Sequence, residues 1–160
     1  MVVLLMALIL LIGCSGPEEK KMKFFNKGKA LYEKGQLTEA RLEFKNAIQI
    51  DPKFAEAYYM LGMVEMRKGN INGAFGQFRK AVSIEPGNIN AQVELGRLLM
   101  GMQKVDEAQE KASLALAQDP QHVNANILQS GIYLSKNNGA QARLLMENLI
   151  NRGEKSPDAF

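Results

Sequence analysis

The stretch AEAYYMLGMVEMRKGNINGAFGQFRKAVSIEP, residues 55–86, holds two helical patterns with a break between them. Tyr58, Leu61 and Gly62 recur at helical spacing in its first half, and Ala74, Phe78, Ala81 and Val82 do so in its second. Gly69 and Asn70 interrupt the run, as turn residues do. Pro86 ends the second pattern and biases Glu85 toward an extended backbone. The stretch therefore reads as helix, turn, helix, stop.

The same unit stands on either side of it. Pro52, Pro86 and Pro120 are 34 residues apart. Ala40, Ala74 and Ala108 precede them at a fixed interval, and Ala142 continues that series. Gly28, Gly62 and Gly96 form a second series, with Ser130 at the next place. The first unit carries Phe24, Gly28, Leu31, Gly35, Ala40, Phe44, Ala47 and Pro52, and the third keeps Leu95, Gly96, Leu99, Ala108, Ala115 and Pro120. A period of this length marks stacked helical units that bury their apolar faces only against each other. Gly28 and Gly62 are expected opposite Ala40 and Ala74, so that paired helices approach closely.

An aromatic, Leu-Gly, Ala, Phe, Ala and a closing Pro in this order resemble the tetratricopeptide repeat (TPR) over about residues 21–152. The resemblance implies an all-α, right-handed solenoid of about four repeats, near 20–53, 54–87, 88–121 and 122–155, forming one domain over 20–152. Departures grow toward the C-terminus. Gln92 and Asn126 replace the first aromatic, Ala112 and Met146 replace the Phe, and Glu65 falls where an aromatic is usual. Residues 156–160 look like the opening of a further, truncated repeat, so an uncovered C-terminal repeat is expected to self-associate.

The N-terminus reads as an address. Val2 to Ile12 is apolar but too short for a membrane span, which needs about 20 residues. It suits a signal peptide over residues 1–13. Its end, Leu11-Ile12-Gly13-Cys14, resembles the bacterial lipobox, which implies diacylation of Cys14, the sole cysteine, and a tether over 14–19. An ordinary signal peptide with an incidental cysteine is the alternative. Only Met1 precedes the apolar run, whereas such leaders usually carry Lys or Arg there. With Ser15 and not Asp after the cysteine, the resemblance leans to the periplasmic face of the outer membrane. Beyond the tether come Lys20, Lys21, Lys23, Lys27, Lys29 and Lys34. They read either as a contact to anionic headgroups or as a solvated face at the solenoid end.

Composition narrows the function. Charged residues are 23% and hydrophobic ones 46%, which fits a folded body. A net charge of +3 with both signs interspersed gives no basic face for nucleic acid. A single cysteine forms no internal disulfide. No metal, cofactor or catalytic constellation is expected. His122 is the only histidine and reads as a surface or capping residue. The glycines at 62, 73 and 76 lack the preceding strand of a phosphate loop. Glu39 and Glu43 read as a solvated helix face.

In the TPR family the first helices of successive pairs line a concave groove. Carried over by position, its lining is Phe25, Lys29, Tyr32, Tyr59, Met63, Met66, Val93, Arg97 and Met100, extended by Ile127 and Leu134. Phe25 and Tyr59 stand where parts of a chaperone-tail clamp would be, so that function is not expected. Methionine-rich surfaces adapt to partners, and an extended peptide or a helix suits this one. The expected function is a non-enzymatic, membrane-anchored protein scaffold. The run that opens with Lys34-Gly35-Gln36 and continues through EARLEFKNAIQIDPKFAEAYYMLG, residues 39–62, is similar to TPR lipoproteins that accompany exosortase and exopolysaccharide loci. Two alternatives stay open: an outer-membrane or pilus assembly lipoprotein, and an accessory subunit of a glycan-processing enzyme.

Overall fold

The computed structural model describes residues 16–153. Within them stand α1 (Pro17–Glu33), α2 (Leu37–Ile50), α3 (Ala55–Arg67), α4 (Ile71–Ile84), α5 (Ile89–Gly101), α6 (Val105–Gln118), α7 (Val123–Ser135) and α8 (Gly139–Asn151), and no strand among the described residues. The expected all-α solenoid of about four helix pairs is what forms. The even-numbered helices begin at 37, 71, 105 and 139, and α3, α5 and α7 begin at 55, 89 and 123, so the sequence period is carried into the fold.

α1 departs from that rhythm. It starts at Pro17 and runs for 17 residues, where α3 has 13. The expected tether reached to residue 19. Instead Pro17 occupies the first helical turn, where its missing N–H costs nothing. Glu18 and Glu19 then sit favourably at the positive end of the helix dipole. The expectations on residues 1–15 and 154–160, among them Cys14, the signal peptide and a further repeat, lie outside the described residues.

Each turn within a pair needs one left-handed residue. Gly35 and Gly69 take it at φ 74°, whereas Gln103 and Asn137 take it at 61° and 56°. Between pairs, Asp51 Oδ1 accepts from Lys53 N and Asp119 Oδ1 from Gln121 N, both at 2.9 Å. Two departures from the repeat pattern find their role here. The amide of Gln92 donates to the Pro86 carbonyl at 2.9 Å, and that of Asn126 donates to the Pro120 carbonyl at 3.0 Å. Both amides are buried and tie the start of a helix to the turn before it.

The core is strung along the stack. One cluster joins Phe25, Phe44, Leu61 and Val64 across the first two pairs, and another joins Phe78, Leu95, Leu99, Leu128 and Ile132 from α4 to α7. The glycines do not simply face the alanines. A Cβ on Gly28 would lie 2.7 Å from the Phe44 ring, and one on Gly62 would lie 2.5 Å from the Phe78 ring. The ring four residues beyond each alanine fills the glycine notch. In the third pair Ala112 is too small, and Leu128 from α7 fills the notch at Gly96.

Buried charge locks the first pair to the second. Glu65, at the place of the usual aromatic, is 4% exposed; Arg41 from α2 donates to one of its oxygens and Asn70 to the other. Asn70 Oδ1 in turn accepts from Gly73 N at 3.1 Å and caps α4. Burial alone pushes the Glu65 carboxyl up, but the bonds from Arg41 and Asn70 outweigh it and hold its pKa below the ordinary carboxylate value. Glu43 is also buried, not solvated, with Lys27 on α1 at 2.6 Å from its Oε1.

Candidate functional site

α1 touches α3, α5 touches α7, and Tyr59, Met63 and Met66 of α3 pack on the cluster that holds Leu95, Leu98 and Leu99 of α5, whereas no two even-numbered helices make comparable contact among the described residues. The odd-numbered helices therefore form the inner layer of the stack, and the positions read as a groove lie on it. Tyr32, Tyr59, Met63, Met66, Arg97 and Met100 are each half-buried, and Lys29 is exposed. The methionines at 63, 66 and 100 rest against the α4–α7 core and keep part of the side chain open. Met60 packs on the first core instead.

Two of the expected lining residues sit behind the wall. Phe25 is 5% exposed and packs on Phe44 and Phe54, with ring centroids 5.7 and 4.8 Å away. Val93 is 1% exposed and packs with Ala115 and Ala125. The reason is neighbour size. Phe54 closes over Phe25 at the first inter-pair turn, and small alanines let the chain close over Val93. Ile127 is half-buried, and Leu134 stands 60% exposed at the far end.

Tyr59 is the central aromatic. Its ring lies 5.9 Å from that of Phe78. Burial, helped by the negative charges of Glu94 and Glu56, pushes its hydroxyl up to about 12, so it is a neutral donor at any physiological pH. Arg97 Nη1 is 3.2 Å from Glu94 Oε1. Arg67 lies over the Tyr32 ring at 4.7 Å and donates to the Tyr32 carbonyl at 2.9 Å. Arg67 and Glu94 were not among the expected lining residues. The available signal was their register: Arg67 follows Met63 by four residues, and Glu94 precedes Arg97 by three.

The surface pairs apolar bodies with a few polar heads, which suits a peptide better than a small substrate. Among the described residues there is no group of three metal-ligating side chains and no helix long and apolar enough to cross a membrane. His122 caps α7, its Nδ1 accepting from Ala125 N at 3.3 Å.

An array of antiparallel helix pairs on a fixed period, with an open inner layer, defines a helical-repeat solenoid. The repeats are tetratricopeptide repeats: a TPR repeat profile matches residues 28–69, and tetratricopeptide repeat profiles match 55–88 and 93–159. Solved structures agree. Pseudomonas aeruginosa pilF superimposes with a TM-score of 0.75 at 21% identity, over 85% of this chain and 62% of that one. YrrB, described as a TPR protein with an unusual peptide-binding site, does so with 0.67 at 23%, over 87% and 70%. The first TPR of Spaghetti (RPAP3), bound to the HSP90 peptide SRMEEVD, gives 0.64 at 17%, over 82% and 94%. These are likenesses of fold. No curated protein matches the sequence.

Proposed function

We propose that this chain is a non-enzymatic scaffold that takes an extended segment of a partner protein along its inner layer, held at a bacterial envelope membrane by lipid on Cys14. The observation that carries the scaffold reading is the row of half-buried Tyr32, Tyr59, Met63, Met66 and Met100 on adjoining inner helices. Tyrosine gives large contact area at little entropic cost, and central aromatics tend to dominate binding. YrrB and the Spaghetti repeat, whose descriptions name peptides, support the choice of partner class. A photo-crosslinker in place of Met63 should capture a partner segment in cells, and one in place of Leu114 on α6 should not. Equal capture at both positions sinks the groove reading.

The anchor reading rests on Leu11-Ile12-Gly13-Cys14 and on Cys14 being the sole thiol. Cys14→Ser should release the protein from membranes; retention after a high-salt wash defeats the anchor. Ser15 favours the periplasmic face of the outer membrane. The similarity of residues 39–62 to exosortase-associated lipoproteins supports service in polysaccharide export or protein sorting. An assembly lipoprotein is the competing reading, and the likeness to pilF in fold is on its side. The genes beside this one separate the two: glycosyltransferases and an exosortase, or pilus and barrel-assembly components. Leu144 and Ile150 on α8, at 54% and 68% exposed, supply a second apolar area, which we assign to self-association. Leu144→Lys with Ile150→Lys should then lower the mass seen by sedimentation.

A further inference from the structure

Six lysines fall on or beside α1, and the fold sorts them. Lys21 is turned inward, 2.8 Å from Asp51 Oδ2 and 2.7 Å from Glu18 Oε2. Lys29 lies over the Phe25 ring at 5.8 Å, on the inner layer. Lys20, Lys23, Lys27 and Lys34 are all exposed. At about 100° per residue these four fall within a stripe roughly 60° wide, and at 1.5 Å per residue it is about 21 Å long. Lys34, the cap, keeps right-handed helical backbone at φ −76°. Lys27 pairs with Glu43, whereas Lys20, Lys23 and Lys34 have no ion pair among the described residues. Half-exposed Phe24 and Leu31 border one edge of the stripe, and Glu19 borders the other.

We infer that this stripe is a docking surface for an anionic lipid bilayer, and that it fixes how the array stands on the membrane. The inference rests on the anchor reading above and adds an orientation to it. The choice of occupant follows from charge and from chain continuity. A chain whose net charge is only +3 concentrates four cations on one face of its first helix. The apolar run ends at Ile12, and the steps from Cys14 to Pro17 span at most about 11 Å. Because α1 begins at Pro17, the stripe follows the anchoring residues with almost no slack. Lysines near an anionic surface each add about 1 kcal/mol, a factor of about five in partitioning. Lys29 lies roughly 150° around the helix from the centre of the stripe. A bilayer on the stripe therefore leaves the inner layer facing away from lipid and open to a partner.

The test uses the full chain and vesicles of phosphatidylcholine, alone or mixed with phosphatidylglycerol. Binding to neutral vesicles reads the N-terminal apolar and lipid contribution; the ratio of anionic to neutral binding reads the stripe. The expected ratio at low salt is roughly a hundred from the three unpaired lysines, collapsing at high salt. Lys20→Gln with Lys23→Gln and Lys34→Gln should bring it to near one, with helicity unchanged by circular dichroism. The equal-charge control Lys45→Gln with Lys68→Gln and Lys80→Gln should keep it. A wild-type ratio near one, or the same loss in the control, overturns the stripe and leaves the anchor standing. No binding to neutral vesicles, with binding to anionic ones that the triple lysine variant loses and the control keeps, removes the anchor and leaves the stripe.

Discussion

The first two helix pairs and the last pair share a period but not a way of closing. In α1–α4 a glycine on the inner helix receives a phenylalanine ring from the outer one, Phe44 on Gly28 and Phe78 on Gly62. In α7–α8 the glycine is Ser130 and the ring is Met146. Ser130 Oγ donates to the Ala142 carbonyl at 3.3 Å, and Met146 is only half-buried. Beside this pair, between α6, α7 and α8, lies a cleft of about 210 Å³ lined in part by Leu116, Tyr133, Leu144 and Leu145. Helix placement is thus set by the period, whereas tightness is set by what fills one notch per pair.

The largest difference should come from removing the fillers. Phe78→Ala takes a fully buried ring out of the α4–α7 core and should cost about 4 kcal/mol in urea denaturation. Met146→Ala, half-exposed, should cost about 1 kcal/mol. Equal losses would mean that the last pair is as tightly closed as the others.

The buried network comes next. Arg41→Ala leaves the Glu65 carboxylate with Asn70 alone and, since the Arg41 side chain is 40% exposed, should cost about 2 kcal/mol near neutral pH. The Glu65 pKa is lowered by folding, so its stabilisation is present above the unfolded carboxylate pKa and is lost as pH falls through the folded one. The gap between wild type and Glu65→Gln should therefore shrink on acidification; a gap independent of pH refutes the pairing. At α8 the side-chain ties go to backbone carbonyls instead, from Ser130 Oγ to Ala142 and from Arg152 Nη2 to Gln121, both at 3.3 Å.

Glycine substitutions should change sign between the regions. Gly62→Ala drives a Cβ into the Phe78 ring and should cost about 2 kcal/mol. Gly131→Ala, on α7 with nothing within 4 Å of its added Cβ, should gain a few tenths of a kcal/mol or more. Thermal denaturation of the two variants decides it: a loss at both positions breaks the contrast.

The smallest effect lies in the turns. Gln103 holds a left-handed backbone that Gly35 and Gly69 hold without steric cost. Gln103→Gly should stabilise by about 1 kcal/mol at most, since the more flexible unfolded chain offsets part of the gain. A clear loss on denaturation would show that the Gln103 side chain has a role of its own.

Much of this was legible in the residues. The prolines and alanines spaced at 34 gave the helix pairs, and Gly69-Asn70 gave a turn that the structure keeps. The cap at His122 was legible too. Less was legible at the site. Phe25 and Val93 occupy the same register as Tyr59, yet they are buried because of what faces them from other helices. Glu43 and Glu65 look like surface carboxylates in a one-dimensional pattern, and Arg41 and Lys27, distant in sequence, make their burial tolerable.

The sequence by itself determined the number of helix pairs, their order and the face that each helix turns inward, because those follow from local periodicity. The tertiary structure alone decided which notch each ring fills, which carboxylates are buried, and which lysines of α1 stay free. Those outcomes depend on distances between residues of different helices, and a repeat pattern fixes the places of side chains without fixing their neighbours.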